Sequence, residues 1–200
     1  MTEARIGRLL AASLHQAIGD VLPQRLEFYE HWLNSEDLRG GHVGLAAMTA
    51  VVGFLRTEGE SYNRVVARAG QLAAEWTLAS MPGMRRRAVM WLPRPLRVRA
   101  AVRMAAEVMA SIYSTTRTSS RVRRNQARVE VKSSIFCTVR SASPAPLCGF
   151  YVAVAIEVLR NYQIGATGKT ERCQAVGGSS CVVALDLSGV VAAPDPAIAA

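Results

Sequence analysis

Long apolar runs are the first thing this 200-residue chain lacks. Its longest near-uninterrupted stretch, Gly44 to Leu55, is too short to cross a bilayer. No apolar core suited to a secretory leader is expected at the start, where Glu3, Arg5 and Arg8 interrupt it. Lysine is nearly missing: Lys132 and Lys169 stand against a large excess of arginine. Aromatic residues make up only 6%, and histidine appears three times, at 15, 31 and 42, with no spacing that joins a ligand or catalytic pair. No G-x-S-x-G context surrounds a serine, no carboxylate pair shares one face, and no dinucleotide fingerprint follows a strand. Protein-driven acid–base, nucleophilic or hydride chemistry is therefore unsupported, and no catalytic residue is assigned.

Half of the residues are hydrophobic and 20% are charged, which excludes a disordered or collagen-like chain. The length suits one domain with a core that needs no disulfide staples, so residues 1–190 are expected to form a single ligand-binding domain, followed by a flexible tail at 191–200. The chain is expected to be soluble and cytoplasmic.

The formal net charge of +9 is local. Residues 81–130 hold twelve arginines against Glu107 and Glu130, while the remainder is almost neutral. Phosphate contacts with a nucleic acid are one reading of that stretch, but no aromatic platform or recognition helix accompanies the arginines, and nucleic acid is not an expected partner. A guanidinium surface for an anionic ligand is a second, and a solvated helix face is the third and simplest.

Periodicity divides the chain near residue 115. Ile6, Leu9, Leu10, Leu14 and Ile18 recur at helical spacing; Leu26, Tyr29, Trp32 and Leu33 mark a short second helix that ends at Asn34-Ser35 before Gly40-Gly41. Further helices are predicted over Gly44 to Arg56, Ser61 to Ala79 (broken by Pro82-Gly83) and Leu96 to Tyr113. From Ser114 the period changes. Val122 and Val129-Val131 suggest strands joined around Asn125-Gln126, and Ser133 to Val139 continues extended, with Cys137 a buried strand residue. A helix over Leu147 to Tyr162 precedes a hairpin of Gly165 to Val176 and Cys181 to Leu187, turning at Gly177-Gly178-Ser179-Ser180. The expected fold is α+β, an N-terminal helical layer on a mainly antiparallel sheet of four to five strands with one further helix. The helical part covers 1–115 and the strand-rich part 116–190.

Gly165-Ala-Thr-Gly168-Lys169-Thr170 is not a phosphate loop, because Gln163 stands where the motif needs glycine and a helix precedes the loop. The four cysteines, 137, 148, 173 and 181, all lie in the last third. On spacing alone inert buried thiols are the first reading, and in a reducing compartment metal or redox chemistry is the alternative. Cys173 and Cys181 flank the hairpin turn, and Cys148 begins the adjacent helix.

Taken together, Val131-Lys-Ser-Ser-Ile-Phe-Cys137, Pro146-Leu-Cys148-Gly-Phe-Tyr151 and Glu171-Arg-Cys173-Gln-Ala-Val-Gly177-Gly-Ser-Ser-Cys181 resemble the 4-vinyl-reductase domain family. That family includes bacteriochlorophyll 4-vinyl reductase-like proteins and aromatic-effector-sensing domains. It is related to the NO-signalling and Golgi-transport ligand-binding fold. The resemblance implies a structural zinc ion held by Cys148, Cys173, Cys181 and an acid, for which Glu171 is the candidate although it stands one position off the family pattern. It also implies an apolar pocket between helices and sheet, with Phe54, Trp76, Met104, Val108, Ile112 and Phe136 as lining candidates. The expected ligand is a hydrophobic small molecule, a tetrapyrrole of bacteriochlorophyll synthesis foremost. A stand-alone sensor or adaptor that binds an aromatic or lipid ligand and signals through a homodimer is the alternative.

Overall fold

The computed structural model describes residues 5–33, 44–138 and 142–189. The expected helix stop at Asn34-Ser35 and Gly40-Gly41, His42 and the tail lie outside them. Seven α-helices and four strands are present among the described residues. The first, α1 (Arg8–Val21), buries Leu10, Ala11, Leu14, Ala17 and Ile18 along one side, the face set by its helical spacing. A 3-10 turn, Pro23–Arg25, leads into the short α2 (Leu26–Glu30). Helices α3 (Leu45–Thr57) and α4 (Glu60–Ser80) follow closely on either side of Gly59.

Helix α5 (Gly83–Met90) has no counterpart among the sequence-based expectations, because its three consecutive arginines hide any apolar period. Pro93 and Pro95 then open α6 (Arg94–Ser111), where a missing N–H costs no helical bond. Val98, Ala101, Val102, Ala105, Val108 and Met109 form the buried side of α6.

The strands are β1 (Arg117–Arg123), β2 (Gln126–Lys132), β3 (Thr167–Arg172) and β4 (Cys181–Asp186), with α7 (Gly149–Asn161) between β2 and β3. They form one antiparallel sheet in the order β1-β2-β4-β3. Alternation on β2 gives the sheet two unlike faces. Ala127, Val129 and Val131 are buried opposite Leu185, Val183 and Cys181 of β4, while Gln126, Arg128 and Lys132 face outward. Helix α6 packs on β1 and β2, and α7 packs on β3, so helices cover only the inner face.

Helix α4 is the axis of the helical layer, touching α1 and α7 along its length. Its Gly70 permits that approach, because a Cβ there would stand 2.4 Å from the Phe150 carbonyl oxygen and 2.9 Å from the Ala153 Cβ. The fold class is as expected. Two local expectations are corrected. The run expected to continue the sheet from Ser133 does not do so over its described residues, 133–138: Ile135–Cys137 is a 3-10 turn whose side chains are all buried. The predicted strand through Val176 stops at Arg172, and Gln174–Val176 is another 3-10 turn. In the first, three consecutive buried side chains turn the backbone inward where a strand would send alternate residues to solvent; in the second, Ala175 alone is buried and the left-handed Gly177 ends the turn.

Candidate metal centre and ligand cavities

Four cysteines meet at the end of the sheet that faces the N-terminus of α7. Cys137 closes the 3-10 turn after β2, Cys148 sits at the N-cap of α7, Cys173 follows β3, and Cys181 opens β4. All four are buried, and their sulfurs lie within 4.8 Å of one another. Cys137 Sγ is 3.3 Å from Cys173 Sγ and 3.4 Å from Cys181 Sγ. Four sulfurs placed tetrahedrally about zinc, at the usual Zn–S length, stand about 3.8 Å apart, within about half an ångström of both these separations.

The turn that carries Cys173 is shaped for this purpose. Gly177 adopts φ 92°, and the Gly178 N–H donates to the Cys173 carbonyl at 3.0 Å. A side chain at Gly178 would meet that same carbonyl oxygen at 2.8 Å. The backbone N–H of Gln174 donates to Cys181 Sγ at 3.5 Å, and the Gln174 side-chain oxygen accepts from the Ser134 N–H at 3.1 Å. The second of these ties the Cys173 turn to the segment bearing Cys137.

Thiol electrostatics fit shared occupancy of one small volume. Hydrogen bonds from Cys137 and Cys148 hold the Cys181 thiol down to about 4. Cys148 is pushed far up, first by its bond to Cys137, then by its bond to Cys181 and by burial. One thiolate is thus supported by its neighbours' S–H groups, and four together need a cation in place of the protons.

Around the sulfurs lies a shell that spacing did not reveal. Arg56 on α3 donates to the Phe136 carbonyl at 2.8 Å and to the Thr138 carbonyl at 3.1 Å, bracketing Cys137. Tyr62 on α4 donates to the Leu147 carbonyl at 2.7 Å, one residue before Cys148. Tyr151 is fully buried and donates to Ser134 Oγ at 3.0 Å. Phe136 stacks on Phe150 at 4.9 Å between ring centres, with Tyr151 edge-on to both. The site is dry, and helices α3, α4 and α7 brace it.

Of the residues proposed for the metal, the structure brings Cys148, Cys173 and Cys181 together, adds Cys137, and leaves Glu171 outside. A register shift does interrupt the β3–β4 pairing between Thr170 and Arg172. Even so, Glu171 stays on the outer face, where its carboxylate accepts from Arg128 at 2.7 and 3.1 Å. That guanidinium, by hydrogen bonding and then by charge, holds the Glu171 carboxyl below its ordinary range. Cys137 was missed because an extended run would have separated it from the hairpin. The available signal was the count: four cysteines, matching the coordination number that zinc prefers.

The six pocket candidates do not share one environment. Met104, Val108, Ile112 and Phe136 are core residues, and Met104 Sδ accepts from the Tyr162 hydroxyl at 3.3 Å. Phe54 is 38% exposed and packs against Phe28 and Trp32, while Trp76 is 37% exposed on α4. These two point out of the helical layer, which separates them from the other four.

Three clefts open on the surface instead. One of about 450 Å³ lies between α4, α7 and β3, lined by Ala67, Val152, Ala153 and Ile156 with Asn63, Gln71, Glu157 and Lys169 at its margin. One of about 390 Å³ lies between the start of α6 and the β1–β2 turn. A third, of about 470 Å³, lies on the outer sheet face beside the Arg128–Glu171 pair. Among the described residues no helix is long and apolar enough to cross a membrane.

No family model matches the sequence, and no curated protein matches it. Solved structures do resemble it in fold. The crystal structure of an H-NOX protein from S. oneidensis in the Fe(II)NO ligation state aligns with a TM-score of 0.58 at 13% identity, covering 92% of this chain and 100% of that one. An NMR structure of an H-NOX domain from Shewanella oneidensis in the Fe(II)CO ligation state gives 0.50 at 15% identity, with coverages of 92% and 98%. The phenol-responsive sensory domain of the transcription activator PoxR, solved with phenol, gives 0.49 at 14% identity, with coverages of 72% and 74%. At these identities the likeness is one of fold. Among the described histidines, His15 pairs with Glu30 at 3.0 Å near the surface and His31 is exposed, so neither lies in the interior.

Proposed function

We propose that this chain is a small-molecule-binding domain of the 4-vinyl-reductase type, locked by a structural zinc ion on Cys137, Cys148, Cys173 and Cys181. The observation that carries this reading is the convergence of four buried thiols from four separate segments, with no carboxylate or histidine among them. When bound, zinc supplies a cross-link whose binding free energy adds to that of folding. With four protein ligands the first shell is closed, which suits a structural role.

The chain's own residues extend that cross-link toward a ligand. Cys148 caps α7, and α7 forms one wall of the cleft shared with α4 and β3. Its apolar floor and polar margin suit a compact apolar molecule with one polar group. Glu157 lies buried at that margin, paired with Arg160 at 2.7 Å, and Lys169 faces it from β3. Fixing the start of α7 fixes the register of this wall. The likeness in fold to H-NOX structures solved in Fe(II)NO and Fe(II)CO ligation states supports a binding role over a catalytic one.

Native mass spectrometry of the purified protein, with elemental analysis, tests the proposal. One zinc per chain in the wild type and none in Cys173→Ser is expected, and near-zero metal in both overturns it. Titration with phenol and with protoporphyrin, read by tryptophan fluorescence and visible absorption, tests the ligand class. Saturable binding that Val152→Trp abolishes is expected for a ligand in the α4–α7–β3 cleft. A porphyrin spectral shift that survives Val152→Trp places a tetrapyrrole elsewhere and overturns the cleft. The same native spectrum reports whether the chain is the expected homodimer.

A further inference from the structure

Helix α5 and the start of α6 expose a combination that the interior does not explain. Trp91 is 89% exposed and Met84 is 83% exposed, the two most exposed large apolar side chains described, and Leu96 is 47% exposed. Met84, Ala88 and Trp91 follow one another at i, i+4 and i+7, so they share one side of α5. Val89 and Met90, on the other side, are the residues that pack against the core. The apolar stripe therefore faces solvent on a helix whose opposite side is already anchored. A large apolar surface held outward at this cost to hydration marks a site of contact.

The charge around the stripe identifies what it contacts. Arg85, Arg86, Arg87, Arg94, Arg97 and Arg99 lie on the same two helices, and no acid occurs between Met81 and Ala106. Glu107 is the first, held by Arg103 at 3.3 Å with Arg85 at 3.9 Å. Among the described residues Arg86, Arg87 and Arg99 have no carboxylate partner. A second copy of the chain offers the same positive patch, so self-pairing through this face sets like charges against each other. A nucleic acid satisfies the arginines, but the stripe of Met84, Ala88 and Trp91 offers its base edges no donor or acceptor beyond one indole N–H, so the apolar row adds little to sequence or backbone contact. An anionic lipid surface satisfies both: phosphates and headgroup charges take the guanidinium groups, and the interfacial layer takes the indole and the thioether.

We propose that α5 and the first turn of α6 are a peripheral docking surface for anionic membranes, with Met84 and Trp91 entering the headgroup layer and the arginine belt holding them there. The surface lies on the helical layer, away from the four-cysteine end of the sheet, so docking leaves that end uncovered. This inference does not depend on the zinc or on the ligand.

Co-sedimentation with sized vesicles tests it, using the purified full chain. Pure phosphatidylcholine is compared with phosphatidylcholine containing phosphatidylglycerol. Partitioning onto the anionic vesicles is expected to exceed that onto neutral ones by at least about tenfold, since each basic residue near such a surface adds roughly fivefold, and to weaken with salt. Met84→Ser with Trp91→Ser is expected to lower binding to anionic vesicles by about tenfold while the thermal midpoint stays unchanged, because both side chains are already in water. Trp91→Phe is expected to keep most of the binding but to lose the blue shift in tryptophan emission that accompanies it, separating Trp91 from Trp32 and Trp76. Undiminished vesicle binding by the double serine variant overturns the proposal. So does equal binding to neutral and anionic vesicles. Absence of vesicle binding, with self-association or nucleic-acid retardation that the double variant removes, assigns the surface to that partner and overturns it as well.

Discussion

The sulfur-lined end of the sheet and the arginine belt of α5 and α6 obey opposite physics. At the first, every chemically active atom is buried, and its neighbours are fixed by carbonyls, N–H groups and rings that have no water to fall back on. At the second, charge is abundant and carried on long, mostly exposed side chains, and among the described residues the arginines of α5 and α6 pair with one carboxylate, that of Glu107. Burial turns four residues into one defined geometry. Exposure turns many residues into a field, suited to a surface that is itself diffuse in charge.

Substitutions can break or sharpen that contrast. The largest effect is expected at the sulfurs: Cys173→Ser loses the metal and lowers the thermal midpoint by roughly 10 °C or more, read by calorimetry beside elemental analysis. Retained metal in that variant would remove Cys173 from the set. Next comes the bracing shell. Arg56→Met abandons the Phe136 and Thr138 carbonyls around Cys137, and its zinc is expected to be lost to a competing chelator about tenfold more readily than from wild type.

Tyr151→Phe removes the buried bond to Ser134 and costs about 1 kcal/mol in denaturant unfolding, without loss of metal. At the exposed extreme, Glu171→Gln is expected to leave zinc content and thermal midpoint unchanged, since its pair with Arg128 stands in solvent. Metal loss in this last variant would restore Glu171 as a ligand and dissolve the distinction between the two faces of β3.

The two regions also differ in how far they were legible. The helices α1, α4 and α6, the two hairpins and the α+β order follow from apolar spacing and turn residues, because these are local consequences of which side meets water. The cysteines were visible as candidates, and three of the four that converge were singled out. Cys137 was not: it lies 36 residues from Cys173 and 44 from Cys181. What brings it in is a 3-10 turn imposed by burial of Ile135 and Phe136 in a local run that otherwise reads as extended. Arg56 and Tyr62 were beyond reach for the same reason, since nothing near residues 56 or 62 announces a role 80 or 85 residues away. The pocket candidates divide for a different reason. Apolar character marks a residue for the interior or for a half-exposed surface position alike; Phe54 joins an aromatic surface cluster with Phe28 and Trp32, and Trp76 stands half-exposed on α4.

By itself the sequence determined the helical layer, the antiparallel pattern, the local origin of the positive charge and the presence of thiols with no catalytic partner. Those properties are short-range: period, turn chemistry and composition act within a few residues. Only the tertiary structure decided that four sulfurs meet at one point, that Glu171 turns away from them, and that Trp91 stands in water. Each of these depends on which elements pack together, and packing is settled by the burial of the whole core at once, through contacts between residues far apart in the chain.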